Sequence, residues 1–205
     1  ITMKPKYLVV VIFAFSQAGF AQTQTEEGFL DGSSLSLINR NFYFNRDFRD
    51  AGAARSYREE WAHGILARFL SGYTPGGVGF GLDAYAALGI KLDSGGGTYG
   101  TGILPVGSAG EAEDDYSYAG GTVKARVSQT ELRYGDIVPT APVFATTSTR
   151  LFTSTARGFQ LLSQDIAELS LDAGYFTAIR DGSASTNRDG SIDLVYAGAV
   201  DAQSA

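Results

Sequence analysis

The sequence predicts an all-β fold, a transmembrane antiparallel β-barrel of which about eight strands can be read and which those strands do not close. Three observations predict it. The first is an unbroken alternation over residues 78–90, where Val78, Phe80, Leu82, Ala84, Ala86, Leu88 and Ile90 form an apolar file. Gly79, Gly81, Asp83, Tyr85, Ala87 and Gly89 form the opposite, small or polar file. An ordinary strand is about 5–6 residues long, whereas a long strand with one apolar and one polar face suits a tilted outer-membrane wall. The second observation is a layout of short turns on one side and long loops on the other. The third is dimensional: from Trp61 to Tyr73 a rise of about 3.3 Å per residue gives roughly 40 Å. A tilt of about 40–45° projects that onto roughly 28–30 Å, close to the apolar band of about 25 Å between aromatic girdles.

The elements follow in order. Met3-Lys4-Pro5-Lys6, the apolar stretch 7–15 and the small-residue pattern Gly19-Phe20-Ala21 read as a Sec signal peptide over residues 1–21, starting at Met3 and cleaved after Ala21. Ile1 and Thr2 stand upstream of that start. Residues 22–205 read as the N-terminal part of the barrel, with strands at 34–44, 57–73, 78–91, 122–128, 131–137, 159–165, 168–179 and 191–200. In the second strand Trp61, His63, Ile65, Ala67, Phe69, Ser71 and Tyr73 share the outer file, with aromatics at both ends. Leu169, Leu171, Ala173, Tyr175, Thr177 and Ile179 repeat the pattern opposite Glu168, Ser170, Asp172, Gly174 and Arg180, and Ile192, Leu194 and Tyr196 begin it again. Thr74-Pro75-Gly76-Gly77 is a tight turn and Gln129-Thr130 is barely a turn. Residues 93–121 and 138–158 are long loops rich in Gly, Ser, Thr and Asp. Gln203-Ser204-Ala205 is not an aromatic-ended closing strand, and an unclosed sheet in lipid leaves edge N–H and C=O groups unpaired. The expectation is therefore the first part of a larger barrel.

Composition narrows the function classes. A net charge of -6 argues against a nucleic-acid binder, which shows a basic stripe. With no Cys and one His, His63, there is no disulfide framework, Cys nucleophile or His-rich zinc site. No cofactor and no metal site is expected, and no apolar run reaches the length of a transmembrane helix.

Several strings then resemble the OprD family of substrate-specific outer-membrane porins. Ser33-Ser34-Leu35-Ser36-Leu37-Ile38-Asn39-Arg40-Asn41-Phe42-Tyr43-Phe44-Asn45-Arg46-Asp47-Phe48-Arg49 resembles the family's opening strand, and Ser56-Tyr57-Arg58-Glu59-Glu60-Trp61 the start of its second. Gly79-Phe80-Gly81-Leu82-Asp83-Ala84, Gly89-Ile90-Lys91-Leu92-Asp93 and Gly100-Thr101-Gly102-Ile103-Leu104-Pro105-Val106 continue the match in order. So do Val123-Lys124-Ala125-Arg126-Val127-Ser128, Thr130-Glu131-Leu132-Arg133-Tyr134-Gly135-Asp136 and Pro139-Thr140-Ala141-Pro142-Val143. The resemblance implies a barrel of roughly 18 strands whose third extracellular loop, mapped to 138–158, folds inward to narrow the pore. It implies a passive channel, not an enzyme, for small carboxylates, amino acids or short peptides entering the periplasm along a ladder of basic side chains. The implied setting is the Gram-negative outer membrane, among lipid and lipopolysaccharide, as a monomer or weak trimer.

Arg68, Lys124, Arg126 and Arg133 should face inward if Ile65, Phe69, Val123, Val127, Leu132 and Tyr134 face lipid. Fixed guanidinium groups can hold a carboxylate bidentately and pass it along a row, while Asp83 and Glu131 could engage an ammonium group. The alternative for each of these residues is mutual pairing that stiffens the wall. Arg150 and Arg157, in the constriction loop, either pin that loop or line the eyelet.

Other motifs point nowhere. Gly95-Gly96-Gly97-Thr98-Tyr99-Gly100 fits a dinucleotide-loop spacing, but Thr101-Gly102-Ile103-Leu104-Pro105 is a poor helix start. Asn187-Arg188-Asp189-Gly190 lacks a first Asp at Ser185 and a closing Glu at Tyr196 for a calcium loop. Glu111, Glu113, Asp114 and Asp115 read as a solvated acidic cluster rather than a divalent-cation site. Two other functions stand beside the porin. One is a complete eight-stranded structural or adhesion barrel; the other is an outer-membrane hydrolase that would have to use His63.

Overall fold

The computed structural model describes residues 28–48, 55–93, 98–141, 144–145, 150–184 and 188–201. The signal-peptide reading, residues 95–97 of the glycine string and residues 185–187 of the calcium-like string lie outside them. The described residues hold β-strands and connections but no helix. The strands are β1 (Ser34–Asp47), β2 (Tyr57–Leu70), β3 (Gly79–Asp93), β4 (Asp115–Val127), β5 (Thr130–Ile137), β6 (Thr140–Ala141), β7 (Phe144–Ala145), β8 (Thr155–Ser163), β9 (Leu169–Arg180) and β10 (Arg188–Asp201).

Eight of them form one antiparallel sheet in the order β1-β2-β3-β4-β5-β8-β9-β10, and β6 and β7 form a small ribbon between β5 and β8. Within the eight-stranded sheet each strand pairs with the next strand of that sheet along the chain, the up-and-down pattern of a barrel wall. β1 and β10 do not pair, so the sheet is an open arc.

The two faces invert the logic of a soluble protein. Phe80, Leu82, Leu88, Ile90 and Leu92 of β3 are exposed, as are Leu35 and Leu37 of β1, Val123 and Val127 of β4, and Leu132 and Tyr134 of β5. Leu35 is 77% and Val195 of β10 72% exposed, a cost in water that hydrocarbon removes. On the opposite face Glu60, Lys124, Gln160 and Arg180 are buried beside Tyr116, Tyr118 and Phe176. The two files expected for residues 78–90 are those observed, with Gly81, Ala87 and Gly89 buried on the inner side.

Three of the boundary differences from the sequence reading bear on the lumen. β4 begins at Asp115, not 122, because Tyr116 and Tyr118 point into the lumen and Ser117 and Ala119 outward. An apolar-in, small-out stretch does not look like a lipid-facing strand. β2 ends at Leu70, not Tyr73. Ser71 N–H donates to Leu82 O (3.1 Å), Ser71 Oγ accepts from Leu82 N–H (2.7 Å), and Gly72 N–H donates to Phe29 O (2.9 Å). These bonds turn the chain, so Ser71 and Tyr73 are buried on the inner side and do not close a lipid-facing file. Finally, β8 begins at Thr155, so the long loop is 138–154 and Arg157 is a wall residue.

Candidate functional site

The lumen face carries two polar assemblies. Near the short turns, β3, β4 and β5 bring together Asp83, Lys124, Arg126, Glu131 and Arg133, all expected from the sequence, with Tyr73 added by the bend after β2. Register sets the problem: Lys124 stands opposite Arg133, and Arg126 opposite Glu131. Like charges directly opposed destabilise a sheet, and the two carboxylates relieve this. Lys124 Nζ donates to Asp83 Oδ1 (2.7 Å) and Ser71 O (2.9 Å), while Arg133 Nε–H donates to Glu131. The Tyr73 hydroxyl also donates to Glu131. Burial first, then this carboxylate, push the Tyr73 phenol well above its ordinary range, so it remains a donor. Arg126 lies over the Tyr73 ring, its Cζ 4.3 Å from the centroid. Among the described residues Arg126 makes no ion pair, so three cations face two carboxylates and the surplus charge is Arg126's.

Near the long loops, segment 150–154 lies inside the arc. Arg40 of β1 donates to Arg150 O (2.7 Å) and Leu151 O (3.2 Å), and Arg180 of β9 donates to Thr153 O (3.0 Å). Leu151 and Phe152 are buried against Gly64 of β2, where a Cβ would lie 2.9 Å from Leu151 Cγ. Phe152 meets Tyr116 and Tyr118 edge-on, at centroid distances of 5.7 and 5.6 Å. Arg180 lies over the Tyr118 ring at 3.3 Å. A cavity of ≈ 50 Å³ opens between β1, β2 and this loop, lined by Ile38, Arg40, Gly64, Leu66, Arg68, Leu151, Phe152 and Thr153. Arg68 thus sits beside segment 150–154, outside the cluster of Lys124, Arg126 and Arg133.

Arg150 faces the Phe44 ring, with Cζ 5.7 Å from the centroid, and offers its carbonyl to Arg40. Arg157, expected in the loop, stands on β8 opposite Asp136 and binds it through two nitrogens at 2.9 and 3.1 Å. Lys91 pairs with Asp114 of the acidic cluster, and among the described residues no group of three His, Asp or Glu could hold a metal.

Sequence reading missed Arg40, Glu60, Tyr73 and Asp136 as lumen residues. Strict alternation would put Asp136 outside with Leu132 and Tyr134. Gly135, at φ 138°, shifts the phase, and Asp136 is buried near Gly120. Arg40 had a local signal, since Leu35 and Leu37 leave the even positions of β1 for the lumen.

Comparison with known proteins agrees with this geometry. The family model described as outer membrane porin, OprD family, matches residues 27–205. Porin D of Pseudomonas aeruginosa is 45% identical over 186 residues, covering 91% of this chain and 41% of that protein. The crystal structure of P. aeruginosa OccK9 (OpdG) superposes with a TM-score of 0.80 at 40% identity, covering 84% of this chain and 47% of that one. P. aeruginosa OpdK, solved with vanillate, gives 0.74 at 38% identity, covering 84% and 46%. The chain therefore spans a little under half the length of these relatives. The chain belongs to the OprD family of porins of the Gram-negative outer membrane.

Proposed function

We propose that this chain supplies wall and constriction to a channel for passive, substrate-selective diffusion of small carboxylates, amino acids or short peptides into the periplasm. Arg126 carries the reading. Its guanidinium is held on the Tyr73 ring without an ion pair among the described residues, in a cluster with one cation more than its carboxylates balance. A planar, permanently charged group so displayed can take a carboxylate through two parallel hydrogen bonds and release it to water. Lys124 and Arg133, each bound to a carboxylate, keep the wall rigid and set the field Arg126 works in. OpdK, solved with vanillate, is a relative seen with a carboxylate, which supports this permeant class. The loop held inside the arc supports a constricted channel rather than an adhesion barrel.

The test is flux of vanillate through the full-length protein in planar bilayers, comparing wild type, Arg126→Ala and Arg133→Ala. One unit charge at about 5 Å in a water-filled pore is worth roughly 0.8 kcal/mol, so Arg126→Ala should lower carboxylate flux about two- to fourfold. Unchanged conductance and selectivity in both variants would remove these residues from the pathway.

A further inference from the structure

Glu60 of β2 is 0% exposed, and its carboxylate makes no ion pair among the described residues. Four donors converge on it, all from one segment of the β3–β4 connection. Gly100 N–H reaches Oε1 at 2.7 Å. Oε2 accepts from the Thr101 hydroxyl, from Ile103 N–H at 3.2 Å and from Leu104 N–H at 3.4 Å. Gly100 and Gly102, at φ 95° and 84°, give the chain the left-handed turns that aim these amides at one point. The segment is also sewn to the edge of β2: Glu59 N–H donates to Thr98 O (2.8 Å) and the Thr98 hydroxyl to Glu59 O (3.1 Å).

The same segment supports the constriction. Ile103 and Leu104, 0% and 1% exposed, form one buried cluster with Leu151 and Phe152. The Tyr116 hydroxyl bonds Ile103 O (3.2 Å) and Gly182 O (3.0 Å), tying in the β9–β10 connection as well. Gly102 leaves room for the Arg150 side chain, since a Cβ there would lie 3.0 Å from Arg150 Nε.

We infer that Glu60 is a positioning residue for the pore: its buried carboxylate holds segment 98–104 inside the lumen as the support on which Leu151 and Phe152 of the constriction loop rest. The inference rests on the porin reading. A carboxylate is the group that suits the site, because each oxygen can accept several donors. Glutamine would keep one acceptor and turn an NH₂ toward groups that are themselves donors. Without the carboxylate the segment loses its anchor, and the apolar support under the eyelet moves with it.

The experiment is single-channel recording of the full-length protein in planar bilayers, with heat-modifiable gel migration reporting the folded barrel. The variants are Glu60→Gln, Glu60→Ala, Thr101→Ala and Thr101→Ser. Folded Glu60→Gln and Glu60→Ala should conduct about twofold more than wild type, with the anion-to-cation permeability ratio falling toward one. Thr101→Ala should shift the same way by less, and Thr101→Ser, which keeps the hydroxyl, should match wild type. Folded Glu60 variants with wild-type conductance and permeability ratio would overturn the inference. Should the Glu60 variants fail to fold, the threonine pair decides, and a wild-type Thr101→Ala channel overturns it. A wild-type protein without channel activity would overturn the porin reading itself, and this inference with it.

Discussion

Arg40 of β1 and Arg180 of β9 stand well apart in the order of the sheet and direct their guanidinium groups at the same stretch of main chain. Arg40 bonds the carbonyls of Arg150 and Leu151, and Arg180 that of Thr153. A guanidinium suits carbonyl oxygens in a fork, and hydrogen bonds to charged groups are worth about 1.5–3 kcal/mol each. Arg40→Ala and Arg180→Ala should therefore each loosen the loop and raise open-channel noise and conductance. Because both hold one segment, the double variant should depart from additivity by about 0.5–1 kcal/mol in a double-mutant cycle on unfolding. Strict additivity would show that the two arginines hold independent pieces.

Gly64 marks where the loop meets the wall. A Cβ there would lie 2.9 Å from Leu151 Cγ and 3.0 Å from both Leu151 Cδ1 and Phe152 Cε1, so these buried side chains would have to shift to admit it. Gly64→Val should destabilise the folded barrel by about 1–3 kcal/mol through overpacking. Adding Leu151→Ala, which clears the space, should recover part of that loss in thermal unfolding; no recovery would place the strain elsewhere.

What could be read locally was the lipid-facing alternation, because hydrocarbon imposes its demand on every second residue of β3 whatever the rest of the chain does. The cluster of Asp83, Lys124, Arg126, Glu131 and Arg133 followed from the same parity. The losses came where parity breaks. Gly135 shifts Asp136 inward, Ser71 and Gly72 turn Tyr73 off the outer file, and Tyr116 and Tyr118 reverse the usual faces of β4. Each inversion answers to a partner distant in sequence: Arg157 for Asp136, Glu131 for Tyr73, Phe152 for the tyrosines. Periodicity cannot encode a contact between a strand and a loop folded back over it.

The short-turn end has a pH signature. Asp165, in the β8–β9 connection, accepts from the side chains of Ser128 and Thr130 and from Gln129 N–H, and these bonds, that from Ser128 foremost, hold its carboxyl below the ordinary value of 3.8. The group is fully ionised above that value. Its stabilisation of the paired turns is present there and lost as pH falls through the depressed folded value. Amide exchange at Gln129 should stay protected on acidification through the ordinary carboxylate range and rise only below it. In Asp165→Asn the protection should already be reduced at neutral pH; wild-type protection in that variant would refute the link.

Asp136 and Arg157 make a two-point ion pair on the wall, and their energetics can be separated. Asp136 is 7% exposed, and two nitrogens of Arg157 meet its two oxygens at 2.9 and 3.1 Å. The Arg157 side chain is 43% exposed, so water screens its charge and the pair is worth less than one fully buried. The partners are unequal in what their loss leaves behind. Arg157→Gln leaves a buried carboxylate short of its cation, whereas Asp136→Asn leaves a guanidinium that can turn to water. Arg157→Gln should therefore cost about 2–3 kcal/mol of folding stability and Asp136→Asn about 1–2 kcal/mol. The double variant should be less destabilised than the sum, since it removes the buried charge as well as the pair. Urea unfolding in lipid vesicles measures all four corners of the cycle. Equal costs for the two single variants would show that burial of Asp136 is not what makes the pair matter.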